Sequence, residues 1–347
     1  MSAVTIPIRR SRALLRPWAV SLGVLLLAAI GSLVLGPAGV NPGRAVVEVL
    51  DHLPLVNLDS GLSAQDAAIV WQIRVPRLVL AGLVGATLAG SGAAYQGVFR
   101  NPLADPYLLG VAAGAGLGAT AAIVWSLPAA VVAPLAFTGA VVAVVAAYSL
   151  ARLGGPRRSG ATLILSGVAV AAFFTALQTY LQQRHADTIR QVFSWILGSL
   201  GTTGWGDVRT LFPYAAVGSL VLLAHRRHLD VMAVGEEEAS TLGIDPSRVR
   251  LVVVGAATLG AAAAVAVSGL IAFVGIIVPH IARLATGPSH RVLLPVSLAG
   301  GAAFLMVTDL VARTMQPGGE LPIGVVTAFV GAPFFAFILA TRRGVAA

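Results

Sequence analysis

The chain contains neither cysteine nor lysine in its 347 residues. Without cysteine there is no disulfide, no thiolate-held metal or iron–sulfur cluster and no thiol nucleophile. Without lysine there is no Schiff base and no P-loop, whose lysine sits on the nucleotide phosphates, so the chain is not itself a P-loop ATPase. Charge is scarce too: 11% of the residues are charged and 57% are hydrophobic, with a mean hydropathy of +0.88. That balance excludes a cytosolic enzyme, a nucleic-acid-binding module and a disordered chain. All 23 basic residues are arginine, and the sequence pI is 11.2. Such a pI would ordinarily point to nucleic acid, but here the arginines must first be placed relative to a bilayer.

What remains is apolar sequence in long runs. A bilayer core takes about 20 apolar residues per helix. Ten runs qualify: 18–35, 78–99, 108–127, 130–150, 162–181, 211–224, 249–267, 271–284, 294–311 and 323–340, the sixth and eighth being short. The expectation is an all-α polytopic membrane protein of one transmembrane domain over 1–347. The first run follows Arg9, Arg10, Arg12 and Arg16 and precedes Gly36, Ala38 and Gly39, a pattern shared with secretory signal peptides. Its length suits a retained span better.

With the N-terminus inside and alternation through ten spans, sixteen arginines fall inside and seven outside, while six acids fall inside and eight outside. This is the positive-inside pattern, and it places both termini in the cytoplasm. Small residues stack within the runs: Gly110, Gly114 and Gly118 stand four apart, and Gly82, Gly85, Ala89 and Ala93 line another. In lipid such stripes let helix backbones approach, because packing rather than hydrophobicity drives association there. Gly114-Ala-Gly116-Leu-Gly118 has neither the spacing of a nucleotide loop nor a strand before it.

Two breaks exceed a turn. Residues 37–75 fall outside, and Val46, Val47, Val49 and Leu50 set against Arg44, Glu48 and Asp51 predict a short interfacial helix. Residues 225–250 fall inside. There, Glu236, Glu237 and Glu238 open a short helix at its dipole-positive end, and Gly243 stops it. Asp245 and Pro246 then cap and open a second short helix. A capped pair of this kind is more than a connector requires, and predicts a docking knob.

Gly235-Glu-Glu-Glu-Ala-Ser-Thr-Leu-Gly243 resembles the coupling helix of permease subunits in bacterial ABC importers. Four more segments narrow the likeness: Arg74-Val-Pro-Arg77, Asn101-Pro-Leu-Ala-Asp-Pro-Tyr-Leu-Leu-Gly110, the stretch from Gly269 to Arg283 holding Pro279-His280, and Glu320-Leu-Pro-Ile-Gly through Phe335. Together they resemble the FecCD-type permeases for iron siderophores, haem and cobalamin, over most of the chain from Arg74 onward. The resemblance implies a type II ABC importer permease fold and a homodimer with the pathway on its twofold axis. It also implies two cytoplasmic ATPase subunits, which would bind the ATP and magnesium, and a periplasmic or lipid-anchored binding protein. No cofactor or metal is expected in this chain, and no nucleic acid; lipid is its other partner.

The resemblance assigns roles by position. Glu236, Glu237, Glu238, Ala239, Leu242 and Gly243 would couple to the ATPase. Arg74, Arg77 and Arg313 would receive carboxylates of the binding protein, which suits the planar fork of arginine; intrachain pairing of Arg313 with Asp309 or Glu320 is the alternative. Ser159, Gly160 and Ala161 would form the inner gate, although Gly160 and Ala161 depart from the small hydroxyl residues common there, and Thr162 would open the pathway-lining face that follows. Ser166, Phe173 and Tyr180 would line the pathway on one face of the fifth span, with simple bundle packing as the alternative. His280 would satisfy a carbonyl freed by Pro279. His185, Arg184 and Arg190 lie towards the substrate side. A secondary transporter is the rival class, but it needs titratable groups near mid-bilayer, and the runs hold almost none. An intramembrane protease built on Ser91 has no base beyond His280. The ligand expected is an iron complex, haem or ferric siderophore, with cobalamin as the alternative.

Overall fold

A computed structural model describes residues 10–36, 39–52, 57–153, 160–201, 204–316 and 319–343. Fourteen α-helices follow one another, with no strand among the described residues: α1 (Arg10–Val34), α2 (Pro42–Asp51), α3 (Ala64–Ala68), α4 (Val75–Val98), α5 (Val111–Val124), α6 (Ala129–Leu153), α7 (Gly160–Arg184), α8 (Ile189–Ile196), α9 (Trp205–Met232), α10 (Glu236–Thr241), α11 (Pro246–Ser268), α12 (Val274–Thr286), α13 (His290–Thr314) and α14 (Ile323–Arg343). A π-helical stretch, Ile69–Arg74, joins α3 to α4 without a break. Six helical segments are long and apolar enough to cross a membrane, and four shorter apolar ones, in α1, α5, α12 and α14, complete ten. Each of the ten predicted runs is one of these helices.

The differences have local causes. The sixth run becomes the 28-residue α9, because Arg209 at one end and His225 to His228 at the other continue the helix beyond its apolar part. The eighth run does shorten, to 13 residues, because Gly269 (φ +69°) and Phe273 (φ +70°) hold the chain out of the helix until Val274. The second short helix expected after Pro246 is the first turn of α11; Asp245 caps it as predicted, accepting the N–H groups of Ser247 and Arg248. The interfacial helix is α2, but its buried side is Ala45 and Glu48, the latter held by the Ser60 hydroxyl at 2.5 Å. Of the apolar stripe chosen from sequence, Val46 and Val49 pack half-buried beside Ala45 against Leu33, Val40, Val70 and Val75, while Leu50 stays exposed.

At the centre stands α4, flanked by α9, α11, α12 and α13. Its span is 78% buried, against 22% for α6 and for α7. The glycine stripes explain how this core closes. A Cβ on Gly85 would lie 2.1 Å from the Gly301 carbonyl oxygen of α13, and one on Gly92 would lie 2.0 Å from that of Gly275 in α12. On the other side, a Cβ on Gly114 would lie 2.2 Å from the Gly139 oxygen, joining α5 to α6. These are backbone-on-backbone seams of the kind that substitutes for a hydrophobic drive in lipid.

The bundle sorts its loops as the arginine count sorts them. Arg100 and Arg250 pair with Glu236 at one end, and His290 Nδ1 stands 3.0 Å from Asp230 there. Arg77, Asp309, Arg313 and Glu320 meet at the other.

Candidate functional site

The cluster of Arg77, Asp309, Arg313 and Glu320 follows from the α4–α13 seam. The two helices run antiparallel through Gly85 and Gly301. Eight residues outward on each, about 12 Å at 1.5 Å per residue, stand Arg77 and Asp309. Arg77 donates from Nε to both Asp309 oxygens at 3.0 Å and from Nη2 to Oδ1 at 2.8 Å. Its other edge donates to Glu320 at 2.8 and 3.0 Å. Arg313, one turn beyond Asp309, keeps Nε 3.6 Å from that carboxylate and donates from Nη2 to the hydroxyl and carbonyl oxygens of Ser32 in α1. Arg74 donates to the Leu33 carbonyl at 3.1 Å.

Arg74, Asp309 and Arg313 are all buried, whereas the Glu320 side chain is 44% exposed. The three arginines singled out from sequence are therefore neighbours, and all are engaged within the chain. The alternative weighed from sequence, an intrachain pair of Arg313 with Asp309 or Glu320, is met by Asp309. The tighter partner is Arg77, and the α1 groups Ser32 and Leu33 were missed.

At the opposite end, α10 is pinned on one side and open on the other. Ala239 is fully buried; Glu236 pairs with the buried Arg250 and lies 3.9 Å from Arg100. Glu237 and Glu238 face outward, with Val234 and Leu242 exposed at 74% and 70% beside them. Gly243 takes the left-handed conformation (φ +79°) that turns the chain into α11. The two exposed apolar residues thus flank three acids on this short helix.

Along α7, Ser159 lies outside the described residues. Gly160 sits against Phe99, Ala161 is exposed, Thr162 half-buried and Ser166 buried. Further out, Phe173 and Tyr180 are exposed at 66% and 54%. The face is thus packed near the inner end and open beyond it. Gly167 meets the Leu108 carbonyl, so the loop 101–110 buttresses the first half of α7. His280 sets its ring edge-on to Phe334. His185 bonds the Leu181 carbonyl through Nδ1, and Arg184 lies over the Tyr180 ring.

Asp105 in that loop accepts the Tyr107 N–H at 2.8 Å. Burial raises its pKa from 3.8 to about 6. A folded-state pKa above the unfolded one means that ionisation opposes folding. Stability therefore falls as pH rises from about 4 to about 6, and the full penalty stands above that window. Asp105→Asn keeps the acceptor and removes the charge. Melting temperatures of the solubilised protein between pH 4 and 7 should show a smaller decline in this variant, and a parallel decline in both proteins would refute the assignment.

Ten apolar helices in one bundle, with a short acidic helix between two of them at one end, define a multi-pass membrane protein. A family model described as the FecCD transport family matches residues 24–341, and the chain belongs to that family. It is a membrane permease subunit. It is 46% identical to the cobalamin import system permease BtuC of Halobacterium salinarum over 289 residues, 82% of this chain and 77% of that one. It is 38% identical to the Fe(3+) dicitrate permease FecD of Escherichia coli K12, covering 79% and 86%, and 37% identical to the hemin permease HmuU of Yersinia pestis, covering 79% and 84%. A solved inward-facing structure of a metal-chelate type ABC transporter superposes with a TM-score of 0.81 at 29% identity, over 94% of this chain and 99% of that one.

Proposed function

We propose that the chain is the membrane half of an ATP-driven importer for a large iron complex, haem or ferric siderophore. In this reading it works as a homodimer with two cytoplasmic ATPase subunits, both termini lie in the cytoplasm, and a substrate-binding protein delivers the ligand. The observation that carries it is α10, anchored by Ala239 and the Glu236–Arg250 pair while Leu242 and Glu237 stay outside for a partner. Relatives named for iron citrate and hemin support the iron complex. The 46% identity to a cobalamin permease favours cobalamin as the second reading.

Binding protein would dock at the Arg77 edge of this cluster, since Arg74 and Arg313 are buried and engaged within the chain, and ligand would pass the α7 face along Tyr180, Phe173 and Ser166 to Thr162. ATP can drive this only through its different affinity for two conformations of the assembly. Leu242→Glu should leave the melting temperature unchanged, since the side chain is in solvent, yet abolish assembly with the ATPase subunit and ATP-dependent uptake into vesicles. Full uptake by this variant would remove α10 from the coupling role. Uptake of haem, a ferric siderophore and cobalamin by a deletion strain carrying this chain decides the ligand.

A further inference from the structure

A cleft opens between α6 and α11 on the less buried side of the bundle. Its mouth, at the inner end, is lined by Arg152, Arg248, Arg250, Tyr148 and Thr162. Arg250 is occupied by Glu236. Arg152 and Arg248 are exposed, and neither is ion-paired among the described residues. Asp245 also stands at the mouth, but its Oδ1 is committed to the backbone of Ser247 and Arg248.

From Tyr148, Arg152 and Leu251 the cleft continues as an apolar groove along Val141, Val145, Val254, Gly255 and Leu259. Val145, Leu251 and Leu259 expose 59%, 56% and 45% of their surface along it. A Cβ on Gly255 would meet nothing within 4 Å, so the groove has a notch at that point. From Arg152 to Val141 the groove spans eleven residues of α6, about 16 Å. That is close to the ~15 Å depth of one leaflet, half of a bilayer core.

We propose that this cleft holds a phospholipid with an anionic headgroup, its phosphate on Arg152 and Arg248 and one acyl chain along the α6–α11 groove. Two exposed arginines without an ion-pair partner among the described residues line one cleft, as recognition of a phosphate favours, and the apolar continuation matches a leaflet in length. An acidic segment of a protein partner would fit the mouth and leave the groove empty. The proposal is independent of which ligand the permease carries.

The test uses the purified full chain in detergent, probed by native mass spectrometry and thermal unfolding with phosphatidylglycerol, phosphatidylcholine and inorganic phosphate. Phosphatidylglycerol should be retained and should raise the melting temperature; phosphatidylcholine should do so weakly and phosphate not at all. Arg152→Gln with Arg248→Gln should lower the phosphatidylglycerol preference about thirtyfold, at about 1 kcal/mol per arginine near the surface. Arg152→Lys with Arg248→Lys should keep most of it. Gly255→Trp, which fills the notch and leaves the arginines, should weaken retention by itself and serves if the glutamine pair does not fold. An unchanged preference in the glutamine variant overturns the proposal, as does stabilisation by phosphate equal to that by the lipid. Loss of ATPase assembly with lipid retention intact would also overturn it and give the arginines to a protein partner.

Discussion

Asp309→Ala should destabilise the solubilised protein by about 3 to 5 kcal/mol, among the largest effects of any single charge in the chain. Its carboxylate is 1% exposed and is shared by Arg77 and Arg313, which are themselves largely withdrawn from solvent. Removing it leaves two guanidinium groups in a poorly solvating environment, and that penalty exceeds the value of the pair itself. Glu320→Gln should cost under about 1 kcal/mol, because this carboxylate is 44% exposed and water replaces it. Asp309→Leu combined with Arg77→Met should recover much of the loss, since an apolar pair of similar size carries no desolvation penalty. Thermal unfolding of the three variants decides the matter. Equal melting of the Asp309 and Glu320 variants would show that the outer cluster is solvated and that Asp309 does not hold α4 to α13.

Gly85→Val should prevent recovery of folded protein. The first added carbon would sit 2.1 Å from the Gly301 oxygen and 2.8 Å from the Leu305 Cβ, so α4 and α13 must separate along their whole contact. Overpacking a well-filled core costs about 1 to 3 kcal/mol even where a side chain can give way, and here the obstacle is backbone. The same change at Gly92, against Gly275, should fail likewise. Gly255→Ala is the control: it faces open space and should be neutral or stabilising by up to about 1 kcal/mol through helix propensity. The readout is monodisperse protein in size-exclusion chromatography. Wild-type recovery of Gly85→Val would mean that the seam is not closed in solution.

These effects rest on features with unequal visibility in the sequence. The ten spans were legible because apolar length is a local property, and their alternation because arginines collect on one side. The cap at Asp245, the stop at Gly243 and the acids opening α10 were legible because capping is written within a few residues. The outer cluster was only half legible. Arg77 lies 232 residues from Asp309 and 243 from Glu320, and no periodicity links positions that far apart. Arg313 finds Ser32 across 281 residues, partly through a backbone oxygen that any residue could offer. The late start of α12 was hidden for another reason: Phe273 adopts a left-handed conformation that its side chain does not advertise. The second helix after Pro246 failed as a separate element because a proline start says where a helix begins and nothing of how far it runs.

The glycine contacts have one more implication. Where two main chains touch, no rotamer stands between them, so the joint has a single setting. The pairs α4–α13 and α5–α6 are in that sense welded beams. Any articulation that admits cargo must fall elsewhere, at joints built of side chains, where one packing can be exchanged for another.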